Sequence, residues 1–219
     1  MTTPANDLSA LIQRAGQGDE SAAAELFAQH RERLRRMVQL RLDRRLQGRV
    51  DPSDVMQEAY LDIARKLPEF AQKESMPFFL WLRLVVSERL LRVHRQHLGT
   101  AMRDPGREIS IHQNVDQPAS SEFLAAQLIG RLTSASRAYA RAEMQSLLQQ
   151  ALDGMDPIDR EVIALRHFEE LGNDEVAQVL GLSIAAASKR YVRALLRLKA
   201  AVAHVPGLAD FDQSASDAP

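Results

Sequence analysis

Apolar residues return at helical spacing along most of the chain, so the expected fold class is all-α. Residues 8 to 47 read as helices. In "ESAAAELFAQHRERLRRMVQLRL", Leu26, Leu34, Val38 and Leu42 fall near one face, and Asp19 or Ser21 is placed to cap the start. "GRVDPSDVMQEAYLDIARKLPEF" opens with Asp51-Pro52-Ser53, a capping side chain beside proline in the first turn. Met56, Tyr60, Ile63 and Leu67 then form an apolar stripe, and Pro68 is expected to end the helix. "FAQKESMPFFLWLRLVVSERLLRVHRQHL" reads as a loop containing Pro77 followed by a helix, with Leu80, Leu84 and Leu91 as core positions.

Residues 99 to 121 lose the helical period and are rich in turn formers, which makes them a linker. Beyond it, Ser120-Ser121-Glu122 can start a short apolar helix, and Ser134 or Ser136 can cap a longer one. "DPIDREVIALRHFEEL" starts at Asp156-Pro157, carries Ile158, Val162, Ile163 and Leu165, and is broken by Gly172. "NDEVAQVLGL" is a short helix with Asn173 as its expected N-cap; Gly181 makes the turn and Ser183 caps "IAAASKRYVRALLRLK". Short helix, glycine turn and capped helix are the helix-turn-helix pattern. In the last helix Ile184, Ala187, Tyr191, Leu195 and Leu198 are expected to be buried. Ser188, Lys189, Val192 and Arg193 face outward, flanked by Arg190 and Arg197. The architecture expected is two small helical domains joined by a linker: residues 1–98, linker 99–121, residues 122–204 with the helix-turn-helix, and an acidic disordered tail, 205–219.

Charge changes this picture by its distribution. The whole chain is nearly neutral, with 28 basic and 29 acidic residues, so it has no general bias towards polyanions. Yet residues 31 to 49 hold eight arginines against Glu32 and Asp43, and no acid occurs from Ser183 to His204. Asp54, Glu58 and Asp62 stand at i, i+4 and i+8, where like charges cost a helix a few tenths of a kcal/mol each. Such a stripe reads either as an ordinary acidic solvent face or as a surface for a basic partner. Cysteine is absent, which excludes disulfides and thiolate metal sites and fits a reducing cytosol. With no signal peptide or membrane-length apolar run in the sequence, a soluble intracellular protein is expected, with no membrane insertion.

Phe78, Phe79 and Trp81 cluster beside a basic helix. They are either a single-strand stacking platform or a core under a basic face. His94 and His97 stand at i, i+3, but no third ligand is in view and no metal or cofactor is expected. The alanines before Ser188 either let a helix start approach a sugar-phosphate backbone or supply helix propensity. Ser134 and Ser136, beside Arg137, read as caps or as phosphate acceptors for a regulatory kinase.

An acidic-striped helix, an aromatic-basic helix, a linker and a helix-turn-helix, in that order, resemble the extracytoplasmic-function sigma factors of bacterial RNA polymerase. Asp54-Val55-Met56-Gln57-Glu58 looks like the family's polymerase-binding core, Phe78 to Leu82 like its promoter-melting segment, and residues 159 to 199 like its fourth conserved region. "DPSDVMQE" and "GLSIAAASKRYVRAL" are similar to members expanded in planctomycete-type bacteria. The resemblance implies a transcription initiation factor. It would bind the clamp of the largest core polymerase subunit through Asp54, Val55, Gln57, Glu58 and Asp62, and would meet the flap of the second subunit. The Phe70–Phe79 loop would capture a flipped −10 base. Lys73, Phe78, Phe79, Trp81, Arg83, Arg92 and Arg95 would serve −10 recognition and melting. Ser183, Ala186, Ser188, Lys189, Arg190, Val192, Arg193 and Arg197 would serve the −35 element. An anti-sigma factor is a further implied partner. Two departures stand out. Ser188-Lys189 reverses the family's usual order, and Glu88 occupies the place of a common asparagine, so it either points away from phosphate or alters −10 preference.

The alternative is a conventional helix-turn-helix regulator with a helical sensor or dimerisation domain, which needs neither polymerase nor a melting segment. An enzyme is disfavoured: the chain shows no phosphate-binding glycine loop, zinc-spaced His-Glu motif or nucleophile elbow.

Overall fold

The computed structural model describes residues 4–73, 75–98, 118–132 and 138–203. Most of the linker, the acidic tail, Ser134 and Ser136 therefore lie outside the described residues. The described residues are helical throughout, without strands, and form two compact units.

The first unit contains α1 (Pro4–Gly16), α2 (Glu20–Arg41), α3 (Pro52–Lys73), α4 (Phe78–Leu98) and the short segment Phe168–Glu170. Asp19 caps α2 by accepting a hydrogen bond from the Ala22 N–H at 3.0 Å. Leu26, Leu34, Val38 and Leu42 are all buried, with Met37 and Leu40 completing the same face. Met56, Ile63 and Leu67 of α3 are buried too, and Tyr60 is half-buried against Phe27, its ring centroid 5.0 Å away.

Pro68 does not end α3. The helix runs on to Lys73, so Phe70 to Lys73 are helical and not part of a base-capturing loop. Proline removes one N–H, leaving the Ala64 carbonyl without its helical donor. Ala64 and Pro68 are both exposed, so water can take that bond. Continuing the helix buries Phe70 and Ala71, and that packing outweighs the interruption.

α4 packs against both α2 and α3 and is apolar around most of its circumference. Its core residues are Leu80, Leu82, Val85, Val86, Leu90 and Val93. Leu84 and Leu91, expected inside, are only half-buried, because the stretch carries more apolar residues than one face can hold.

The second unit contains α5 (Ser121–Leu132), α6 (Ala138–Asp153), α7 (Pro157–Ile163), α8 (Asn173–Leu180) and α9 (Ile184–Val202). α5 packs on α6, and α9 receives α6, α7 and α8. Asp156 caps α7, accepting from the Ile158 N–H at 2.8 Å. The α-helix ends sooner than Gly172: from Ala164 it widens into a π-helical turn reaching Phe168. Gly172, not Asn173, is the N-cap of α8; its N–H donates to the Glu175 carboxylate at 2.8 Å. Asn173 instead donates its side-chain amide to the Ile184 carbonyl at 3.0 Å, tying the start of α8 to the start of α9.

One close approach is sharp enough to test. A Cβ added at Gly16 would sit 2.5 Å from the Ala71 Cβ, and Ala71 is on a rigid helix. Overpacking of this kind costs about 1–3 kcal/mol. It exceeds the propensity gain of at most about 1 kcal/mol from replacing a helical glycine. Gly16→Ala is therefore expected to lower the thermal unfolding midpoint. An unchanged or raised midpoint in a calorimetric scan would show that α1 and α3 are not in this contact.

Candidate nucleic-acid interface

The helix-turn-helix is built by local chemistry. Gly181 ends α8 in a left-handed conformation, with φ of +64°. Its successor Leu182 donates to the Ala177 carbonyl at 2.9 Å, and Ser183 caps α9 by accepting from the Ala186 N–H at 3.2 Å. Ala187, Ala194 and Leu198 form the buried side of α9, with Tyr191 and Leu195 half-buried. Tyr191 is held by its hydroxyl, 3.0 Å from His167 Nε2. Ile184 is 59% exposed, which corrects its expected core position. Ile184 shares the phase of the buried side but is the first residue of α9, so it is exposed by its place at the helix end. Ser188, Lys189, Val192 and Arg197 are exposed, as the outward face requires.

Arg190 and Arg193 are not free cations. Both grip Asp159 of α7, which is fully buried. Arg190 Nη1 donates to Asp159 Oδ1 at 2.7 Å, while Arg193 Nε and Nη2 each donate at 2.8 Å, one to either carboxylate oxygen. Burial pushes the Asp159 carboxyl up, but the bonds from Arg193 and Arg190 outweigh it and hold its pKa below the usual value.

In the first unit the acidic stripe separates into two kinds of residue. Asp54, Gln57 and Glu58 are exposed; Val55 and Asp62 are buried. Asp62 is met by Arg89 of α4, with Arg65 at 3.3 Å and Arg92 at 3.4 Å. Arg89 also reaches Glu58 at 3.0 Å. For Asp62 the basic partner that the stripe called for lies within the chain. Glu88 points towards α3, pairing with Lys66, and lies 3.9 Å from Arg92. It therefore does not stand as a free acid on the basic helix.

The aromatic residues are core. Phe70 and Trp81 stack with centroids 4.6 Å apart, and Phe78 lies 5.6 Å from Phe70 and 5.7 Å from Trp81. Phe79 is covered by the Arg33 guanidinium, 3.6 Å from the ring centroid. All four rings are buried, so as placed they support the helix and offer no open stacking platform. His94 is buried: burial lowers its pKa, and its Nε2 accepts from the Asp43 N–H at 3.2 Å. Among the described residues no cluster could hold a metal ion. Arg95 is exposed, Arg92 half-exposed, and Lys73 pairs with Glu69 at 2.8 Å.

Arg83 is the largest departure from expectation. It is buried with Arg41, and both guanidiniums meet the Glu169 carboxylate, which is fully enclosed. Arg33 donates to the Glu169 and Glu170 carbonyls, and Arg36 to that of Phe168 at 3.2 Å. Spacing along the sequence carries no sign of this cluster, because Glu169 lies 86 and 128 residues from Arg83 and Arg41. Two arginines and an acid at positions that also fit an apolar face were its only signal.

A capped helix-turn-helix in a chain of two helical units defines the class as a helix-turn-helix DNA-binding protein. The family described as ECF sigma factor matches residues 5–204, and the chain belongs to it. A solved structure titled as CnrH in complex with the cytosolic domain of CnrY has the same fold, with a TM-score of 0.52 and 22% identity. The match covers 89% of this chain and 96% of that one. No curated protein matches the chain. The protein is thus an alternative sigma factor that binds core RNA polymerase and directs promoter-specific initiation. Nothing supports the reading as a conventional regulator. No helix among the described residues is long and apolar enough to cross a membrane.

Glu169 gives this region a pH signature. Burial alone would raise its pKa, but Arg41 and Arg83 overcome it and bring the value from 4.5 down to about 2. A depressed acid contributes its stability in full above the unfolded value and loses it as pH falls through the folded one. Wild-type urea midpoints are expected to decline from about pH 4.5 towards pH 2. Glu169→Gln, already weaker at neutral pH, should lack that part of the slope. Identical slopes for the two proteins would remove Glu169 from the account.

Proposed function

We propose that the two units divide the work of initiation between an acidic and a basic surface. The exposed residues Asp54, Gln57 and Glu58 of α3 form the polymerase-docking surface, facing the basic clamp of the largest subunit, with Val55 and Asp62 holding that surface from beneath. Ser183 sets the start of α9, and the exposed Ser188, Lys189 and Val192, with Arg197, read the −35 element in the major groove. Arg92 and Arg95 of α4 hold the backbone of the opened −10 strand, and Lys73 stands near its entry. The buried rings of Phe70, Phe78, Phe79 and Trp81 stiffen the helix that carries these cations. The observation that carries the reading is the outward face of α9: exposed donors on a capped helix, with no acid anywhere from Ser183 to His204.

The same reading places the protein in the cytoplasm with its polymerase. CnrH is bound by the cytosolic domain of CnrY, and an inhibitor of comparable kind is proposed here. Ser134 and Ser136 remain candidates for a kinase.

Two measurements test the division of labour. Purified protein mixed with core polymerase should co-elute as a stoichiometric complex and start transcription at discrete sites on a genomic library. Absence of any dependent start would defeat the proposal. Lys189→Ala should then reduce promoter use roughly tenfold, the size expected for one lost base or phosphate contact, with polymerase binding intact. Glu58→Lys should do the reverse, weakening the complex itself. If each variant affected both steps equally, the surfaces would not be separate.

A further inference from the structure

The outward face of α9 contains an arginine whose direction is set by another helix. Arg193 is half-exposed at 51%, yet its Nε/Nη2 edge is fully engaged by Asp159, which is itself out of contact with solvent. A guanidinium is a planar fork with five donors, and this bidentate grip uses one edge only. The end-on edge remains, and Arg193 Nη1 donates to nothing among the described residues. Arg190, one turn earlier, shares Asp159 Oδ1 and is more enclosed, at 24%. Lys189 and Val192, neighbours of Arg193 on the same side, are exposed.

A carboxylate with three donated bonds holds two arginine side chains that would otherwise sample many rotamers. It also offsets their charge. As a pure cation Arg193 would be worth more to DNA without Asp159, since phosphate attraction scales with free positive charge. The pairing makes sense when direction matters more than charge, because a donor fixed beforehand loses less rotamer freedom on docking.

We propose that Asp159 is a positioning residue for promoter recognition: it aims the Nη1 end of Arg193 at a base edge of duplex DNA, the acceptors of a guanine. This rests on the reading of α9 as the −35 helix. Asp159 touches no DNA itself; it acts through Arg193, with Arg190 donating to the Oδ1 that Arg193 also uses.

The test uses full-length protein as holoenzyme on promoters found by start-site mapping. The readout is the ratio of initiation from each native promoter to that from the same promoter with its −35 region scrambled. Asp159→Asn keeps the shape and removes the charge; it is expected to lower this ratio roughly tenfold, the scale of one directed contact. Arg193→Lys keeps a cation but loses the fork, and should fall by a similar factor. The double variant should be no worse than either single one, since both break the same aim. Should Asp159→Asn fail to fold, Arg193→Lys carries the test alone. A ratio unchanged in the folded variants, with only the melting midpoint lowered, overturns the proposal and leaves Asp159 structural. A wild-type ratio near one would overturn the reading of α9 itself, and this proposal with it. If Arg193→Lys relaxes preference at one base position, the acceptor is a guanine edge; an equal loss on native and scrambled promoters leaves the ratio unchanged, marks a phosphate contact and overturns the proposal.

Discussion

A carboxylate withdrawn from water needs a cation or hydrogen-bond donors, and among the described residues Asp62, Glu169 and Asp159 meet arginines inside the folded units. Asp62 is met by Arg89, Glu169 by Arg41 and Arg83, and Asp159 by Arg190 and Arg193. Removing one member of such a group leaves the other stranded, at a cost of about 3–5 kcal/mol when fully buried. Replacing the whole group with apolar residues is often neutral. What the groups supply is therefore alignment. Each one joins helices that apolar packing alone would let slide, since leucine against leucine tolerates several registers. At Asp62 the pairing sets α3 against α4, and at Asp159 it sets α7 against α9.

The near-neutral sum is one of composition, 28 basic against 29 acidic residues, and these pairings decide which of those charges face outward. Much of its charge is neutralised internally. Among the described residues, the exposed cations include Lys189 and Arg197 on α9 and Arg95 on α4. The acids left facing solvent on α3 are Asp54 and, in part, Glu58, whose carboxylate is shared with Arg89. A sigma factor presents separate surfaces to polymerase and promoter, and here the unpaired charges occupy separate helices.

Local chemistry was the legible part of the sequence. Asp19, Asp156, Ser183 and Gly181 act as caps and turn where their residue types say they should, because a cap is decided within three residues. The α3 stripe was readable for the same reason, its period being a property of one helix. Pro68 misled because local propensity for a stop was outweighed by burial of Phe70 and Ala71 further along. Ile184 was misplaced because helical period says nothing of where a helix end leaves its packing, and Ile184 is the first residue of α9. Phe78 and Trp81 beside arginines fit a stacking platform and a core equally well from composition. Only the packing against Phe70 separates the two. The arginine–acid groups were illegible because ion pairing across dozens of residues leaves no period to find, and Arg83 and Asp62 look like any charged surface positions.

The contact of Gly16 with Ala71 has a consequence for how this chain can vary. Two helices pass so closely there that position 16 has no room for a side chain beside the Ala71 Cβ. The two sites are therefore linked through descent: enlargement at position 16 is tolerated only after reduction to glycine at position 71. Lineages that diverge at position 71 should differ at position 16 in the opposite direction of size. Neutral drift through that part of the molecule runs along a narrow ridge, with one order of steps open and the other closed.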